Sequence, residues 1–272
     1  PSRKGWHRVQ NALRCPRLFA LSEAHRATTP MSPALIRGSL VHIGLAHYYA
    51  DVEALSRDAD SEYYSPDEAV ALVAERQPSQ REDWLAFVPE VQRVLEAYAL
   101  HWGAERWEVV DIEKELAANV MDDDWNETYL YTQRVDLIVR HPITRMVYFI
   151  DHKTTYRISK KTTGRYTLSG QFLGYQMLGK GLLGDKWGGV MLNMIQWPKD
   201  STAAPEFTRL DLPGAPFAVA NFKKTIVQAE RVIRSHQGST DPMAWPGAHN
   251  EYTCWTAYGP CSFHDRCQWG EP

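Results

Sequence analysis

Apolar and polar residues change their spacing near residue 105, and that change separates a helical first part from a mixed remainder. From Trp6 to Arg26 the chain reads as a short helix interrupted at Cys15-Pro16, because proline disfavours helical geometry in the residue before it. After a loop carrying Pro30 and Pro33, Leu40, Ile43, Leu45 and Tyr48 follow helical spacing, with His42 in the expected first turn behind Gly38-Ser39. Ser65-Pro66-Asp67-Glu68 supplies an N-cap, an N1 proline and a capping-box partner for a further helix. The stretch from Arg81 extends helical character to about Trp102.

From Val109 to Val120 the period becomes two, the signature of a strand, and Glu113 and Glu115 would share one face. An acidic turn, Asp122 to Asn126, leads to a second strand from Tyr129. Residues 167–184 read as a helix despite their glycines, and residues 188–197 as another strand. The span between Trp197 and Pro216 reads as a Pro/Ala-rich linker. The last long helix carries Phe222, Ile226, Ala229 and Ile233 along one stripe. Helices, three strands, a helix and a strand make a mixed sheet with helical cover, α/β or α+β. The expected parts are 1–105, 106–200 and 201–272, intertwined as one domain.

The richest stretch runs from Arg134 to Thr155, two β-rich runs flanking a turn opened by Pro142. If Pro142 to Arg145 form the loop, His141 faces Met146 and Asp136 lies directly opposite Asp151. Opposed residues hold their Cβ atoms roughly 5 Å apart, where two carboxylates repel. Strand alternation places Lys153 on the same face. Two acids beside a lysine suit a divalent cation, Mg²⁺ or Mn²⁺, with the lysine serving a water or a phosphate. The competing reading is a solvated hairpin face with a surface ion pair.

Composition narrows the partners. Over 272 residues the formal net charge is −3, so nucleic acid would be held by a local patch or through metal. Arg157, Lys160, Lys161 and Arg165, interleaved with tyrosines after the hairpin, offer such a patch; a solvated charged loop is the alternative. No apolar run approaches the roughly 18 residues of a membrane span. No secretory signal pattern opens the sequence, which starts at Pro1 rather than Met.

Four cysteines, at 15, 254, 261 and 267, place one thiol near the start and three near the end. Zn²⁺ and a [4Fe–4S] cluster both accept four thiolates, and His249 and His264 are replacement ligands for zinc. Free or disulfide-bonded thiols remain the alternative. Gln171 and Tyr175, four residues apart, project from one helix face.

His42 behind Arg37-Gly38, Asp136, Asp151-x-Lys153 and Gln171-x3-Tyr175, taken in order, resemble the RecB-like branch of the PD-(D/E)XK nucleases. The cysteines bracketing them resemble its iron–sulfur members: AddB-type nucleases, CRISPR adaptation exonucleases and phage exonucleases. The resemblance spans Cys15 to Cys267. It implies a restriction-endonuclease-like mixed-sheet core with a helical N-terminal lobe and a C-terminal cysteine-cluster region. His42, Asp136, Asp151 and the backbone carbonyl of His152 would ligate Mg²⁺ or Mn²⁺. Lys153 would orient or deprotonate the attacking water, and Gln171 and Tyr175 would position the DNA backbone or Lys153. Arg157, Lys160, Lys161 and Arg165 would hold the strand, and Cys15, Cys254, Cys261 and Cys267 a [4Fe–4S] cluster. The implied activity is metal-dependent DNA exonuclease cleavage leaving a 5′-phosphate. The setting is the cytoplasm of a bacterium or phage-infected host, in DNA repair, recombination or CRISPR adaptation. The rival is a silent DNA-end-binding module serving a helicase or recombinase. Two positions depart from the family pattern: Gln133 stands where glycine is common, and the first cysteine gap is six residues rather than two.

Overall fold

The computed structural model describes residues 2–25, 31–57, 66–77, 80–124, 126–198, 200, 203–256 and 259–270. Helices α1 (Trp6–Arg14), α2 (Pro16–Ala24), α3 (Pro33–Arg57), α4 (Pro66–Glu75) and α5 (Arg81–Trp102) precede strands β1 (Glu108–Met121), β2 (Thr128–Arg140) and β3 (Val147–Thr155). Then come α6 (Lys160–Gly164), α7 (Gly170–Leu183), β4 (Trp187–Gln196), β5 (Glu206–Leu212) and α8 (Pro216–His236). The chain ends in α9 (Glu251–Cys254), the short pair β6 (Trp255–Thr256) and β7 (Gly259–Pro260), and α10 (His264–Trp269). No helix among the described residues is long and apolar enough to cross a membrane.

Strands β1 to β5 form one sheet in sequence order. β2 and β3 are antiparallel, β3 and β4 parallel, β4 and β5 antiparallel. A parallel pair needs a long crossover, and α6 and α7 supply it. The fold is α/β with a mixed sheet, and the N-terminal helices are present as expected.

Two compact units divide the chain. The larger comprises residues 30–116 and 134–215. Its sheet is apolar on both faces, so its strands carry near-continuous hydrophobic runs. Ile150 of β3 and Met191 and Ile195 of β4 pack with Leu40, Val41, Leu45, Val91 and Leu95 of α3 and α5. Phe149, Leu192 and Met194 point the other way, to Phe172 and Tyr175 of α7. The smaller unit comprises residues 1–29, 117–133 and 216–272. The stripe expected on α8 is buried there, and Arg8 of α1 grips Glu230 of α8 through two hydrogen bonds of 2.7 and 3.0 Å.

Several expectations need correction. The supposed linker contains β5. Its apolar alternation is broken because Arg209 and Asp211 occupy the positions two and four residues after Phe207. Helix α3 begins at Pro33, which serves as a helix start rather than a loop residue, so His42 lies more than two turns inside. The break at Cys15 is present, with Cys15 extended between α1 and α2. Ser65, the expected N-cap of α4, lies outside the described residues.

The glycines that weakened the reading of α7 have different reasons. A Cβ on Gly179 would meet the Trp187 ring at 2.3 Å, so only glycine lets the helix approach β4 this closely, whereas Gly181 faces open space. Gly179→Ala is therefore expected to destabilise the protein by about 1–3 kcal/mol through overpacking. Gly181→Ala should stabilise it by up to about 1 kcal/mol through helix propensity. Urea denaturation of the two variants checks this pair; equal effects would refute the packing account.

Candidate active site

The hairpin turn at Pro142–Arg145 closes with the His141 N–H donating to the Met146 carbonyl at 2.9 Å, and Arg145 adopts a left-handed φ of 61°. Leu137 pairs with Ile150 and Arg140 with Val147. The same register, carried one step further, sets Asp136 opposite Asp151 on the α7 face. Asp151 is fully buried. Its Oδ1 accepts from Gln171 Nε2 at 2.6 Å and lies 2.9 Å from the Tyr175 hydroxyl. That hydroxyl also reaches the Arg134 carbonyl at 2.8 Å, and Gln171 Nε2 lies 3.1 Å from it. The i, i+4 pair on α7 thus reads one carboxylate oxygen. Oδ2 lies 2.5 Å from the Lys153 ammonium.

Burial opposes the charge on Lys153, but the carboxylates of Asp151 and Asp136 outweigh it and hold the ammonium above its ordinary range. Burial also drives the Tyr175 phenol far upward, so it stays a neutral hydroxyl.

Asp136 faces a second group. Its Oδ2 accepts the backbone N–H of His152 at 2.8 Å and lies 3.4 Å from His42 Nδ1. Glu113 joins them: ligand atoms of His42, Glu113 and Asp136 all fall within 4.8 Å of one another. Burial raises the Glu113 carboxyl, against the pull of His42 and Arg134. The sequence marked Glu113 only as one of two glutamates expected to share a face of the first strand. It sits at φ 50°, left-handed, which breaks the two-residue alternation and sets its surroundings apart from those of Glu115. Glu113 is half-buried and Glu115 exposed. Oxygen and imidazole donors of this kind suit a hard divalent cation. The Asp151 carboxylate, opposed to Asp136, adds a further oxygen donor, so the residues fit such an ion.

Beneath the acids, the His152 side chain enters a buried polar chain. Its Nδ1 lies 2.7 Å from Asn193 Nδ2, which donates to the Tyr98 hydroxyl at 2.9 Å; that hydroxyl lies 2.8 Å from the Tyr49 hydroxyl. Arg209 reaches both phenols, at 3.2 and 3.3 Å, and pairs with Glu105 at 2.5 Å. Tyr49 stacks on the His152 ring, 10° from parallel. Burial pushes His152 well below its ordinary value, so the imidazole is neutral.

Arg157, Lys160, Lys161 and Arg165 are all exposed in the β3–α7 connection. In the smaller unit, Cys15, Cys254, Cys261 and Cys267 are free thiols and line one cavity, together with His249 and His264. Cys15 Sγ accepts the backbone N–H groups of Leu18 and Ala248, each at 3.4 Å. Burial raises the Cys261 thiol.

A family model for the PD-(D/E)XK nuclease superfamily matches residues 6–268. No curated protein matches the chain. Among solved structures, the crystal structure of a "Putative exonuclease" from Eubacterium rectale aligns with a TM-score of 0.52 at 10% identity. That alignment covers 99% of this chain and 88% of that one. The crystal structure of SSO0001 aligns over 82% of this chain and 84% of its own, at 13% identity and a TM-score of 0.33.

Burial first, and then repulsion from Asp151, push Asp136 from 3.8 up to about 7, against the pull of His42, Lys153 and the His152 N–H. An acid raised in the folded state contributes stability below its unfolded pKa and loses that contribution as pH rises through the folded value. The metal-free protein is therefore expected to lose stability between about pH 4 and pH 7. Asp136→Asn should flatten that slope, and a divalent cation at neutral pH should restore the lost stability. Melting temperatures in EDTA check this; an identical slope in the variant would show that the site does not carry it.

Proposed function

We propose that this chain, which belongs to the PD-(D/E)XK nuclease superfamily, is a metal-dependent deoxyribonuclease. It degrades DNA from its ends by phosphodiester hydrolysis that leaves a 5′-phosphate. The observation that carries the reading is Asp151: fully buried, opposed by a second acid, and paired with Lys153. A merely structural acid at this depth would not be set opposite a second carboxylate that repels it.

His42, Glu113, Asp136, Asp151 and the His152 carbonyl would hold Mg²⁺ or Mn²⁺, adding Glu113 to the set the sequence suggested. When bound, the ion supplies Lewis-acid polarisation of the phosphate and a water of lowered pKa. The chain does the remaining work. Lys153, held cationic by its neighbours, donates to the phosphate and stabilises its developing charge, so it is an electrostatic donor rather than the proton acceptor. Gln171 and Tyr175 fix the carboxylate of Asp151 in one orientation. Arg157, Lys160, Lys161 and Arg165 draw the strand towards the site through its phosphates.

The four thiols would hold a [4Fe–4S] cluster. The four cysteines line one cavity, and four thiolates accept an iron–sulfur cluster, with zinc as the alternative. By the chain-entropy estimate for disulfides, a cross-link between Cys15 and Cys254 would contribute about 5 kcal/mol.

End-labelled single- and double-stranded DNA, incubated with oxygen-free protein and Mn²⁺ or Mg²⁺, tests the activity. Asp151→Ala should abolish cleavage, and Lys153→Ala should slow it by roughly 10²-fold or more. If the parent binds DNA and cuts with neither metal, the end-binding reading takes its place. Cys254→Ser should lose iron and melt at lower temperature; full activity and unchanged melting without iron would remove the cluster's structural role.

A further inference from the structure

Two arginine–tyrosine pairs lie at the two ends of the β3–α7 connection that follows Lys153. The first is at the end of β3. A Cβ on Gly38 would come within 3.4 Å of Thr154 Oγ1, so α3 runs close to the strand there. The preceding residue, Arg37, donates to the Tyr156 hydroxyl at 3.2 Å. Its guanidinium is otherwise engaged: it lies over the Phe87 ring at 4.3 Å, stands 5.8 Å from that of Trp197, and pairs with Glu90 at 2.9 Å. A well-anchored group therefore pins the hydroxyl of a tyrosine that is 66% exposed. Core packing does not explain a large ring held outward.

The second pair is at the far end of the same connection. Arg165 donates to the Tyr166 hydroxyl at 2.7 Å, with its guanidinium 4.8 Å from that ring. Tyr166 packs edge-on against Phe172, with centroids 5.5 Å apart. The Phe172 ring also lies 5.9 Å from the Lys153 ammonium, so Tyr166 adjoins the reactive lysine. Between the two tyrosines lie the exposed cations Arg157, Lys160 and Lys161.

Rings tied by arginines, with exposed cations in the segment that joins them, match what an unpaired strand presents: base faces to stack and phosphates to neutralise. A duplex keeps its base faces covered by its own stacking. We infer that Tyr156 and Tyr166 are stacking platforms for unpaired bases, so that the substrate reaching Lys153 is a single-stranded DNA end. The inference rests on the nuclease reading for the identity of the strand, but the platforms can be tested without cleavage. Holding each hydroxyl by an arginine reduces the ordering cost of binding.

The test measures fluorescence anisotropy in calcium buffer with the intact chain, confirming on a gel that the label stays uncut. Three probes share one length: a single strand, a blunt duplex, and a single strand whose sugars lack bases. Tyr156→Ala and Tyr166→Ala should each weaken the normal single strand by about fivefold or more. Neither should change affinity for the duplex or the abasic strand, and the tryptophan variants should restore binding. Loss shared equally by the abasic strand or the duplex would overturn the proposal, since phosphate contact or general disruption would then explain it. Unchanged affinity for all three would overturn it too. A parent that binds with this tyrosine dependence and never cuts in Mg²⁺ or Mn²⁺ would sink the nuclease reading and leave the platforms standing.

Discussion

Two carboxylates held opposite each other inside a sheet repel, and the arrangement around Asp136 and Asp151 is organised by that repulsion. At a separation of roughly 5 Å and an effective dielectric of about 20, the cost is of order 3 kcal/mol before desolvation is counted. Lys153 answers one acid, and the His152 N–H with His42 answers the other. Gln171 and Tyr175 fill the remaining valence of Asp151 Oδ1. The compensation is incomplete: burial first, and then repulsion from Asp151, still push Asp136 up to about 7. A site left short of positive charge in this way is prepared for a cation.

The hairpin was the most legible part of the chain. Once the turn is placed at Pro142 to Arg145, antiparallel pairing dictates every partner, and Asp136 opposite Asp151 follows from counting. Gln171 and Tyr175 were legible for a similar reason, because helical spacing of four guarantees a shared face. These are local rules, and they transmit directly into the site.

Glu113 and β5 were hidden by departures from those rules. A left-handed residue inside β1 breaks the alternation that would have assigned Glu113 and Glu115 to the same face, and nothing in the residue types announces it. In β5, a polar side chain takes an inward position two residues after Phe207, so no clean apolar alternation remains to be read among the neighbouring prolines. That same side chain, Arg209, ends the buried chain of Tyr49, Tyr98, Asn193 and His152. The feature that concealed the strand is the feature it contributes. The convergence of four cysteines on one cavity depends on contacts between residues more than two hundred positions apart, which spacing alone suggests but does not locate.

The buried polar chain explains why the residue between Asp151 and Lys153 is a histidine whose ring faces away from the acids. His152 contributes its backbone to the site, and a backbone is fixed only as well as its own side chain is fixed. A plain apolar residue at 152 would pack, but packing tolerates small shifts along the strand, whereas a hydrogen bond at 2.7 Å to Asn193 on the neighbouring strand does not. Asn193 pairs with His152 in the parallel register of β3 and β4, so the side-chain bond and the ladder constrain the same pair. The aromatic stack of Tyr49 restrains the ring in the remaining direction. Because burial keeps the imidazole neutral, this anchoring adds no positive charge beside the acids. The acids keep the charge deficit that a bound cation would fill, while the backbone that presents them is held from behind by a neutral imidazole, an amide and two phenols, and the cation that ends the chain, Arg209, is paired with Glu105.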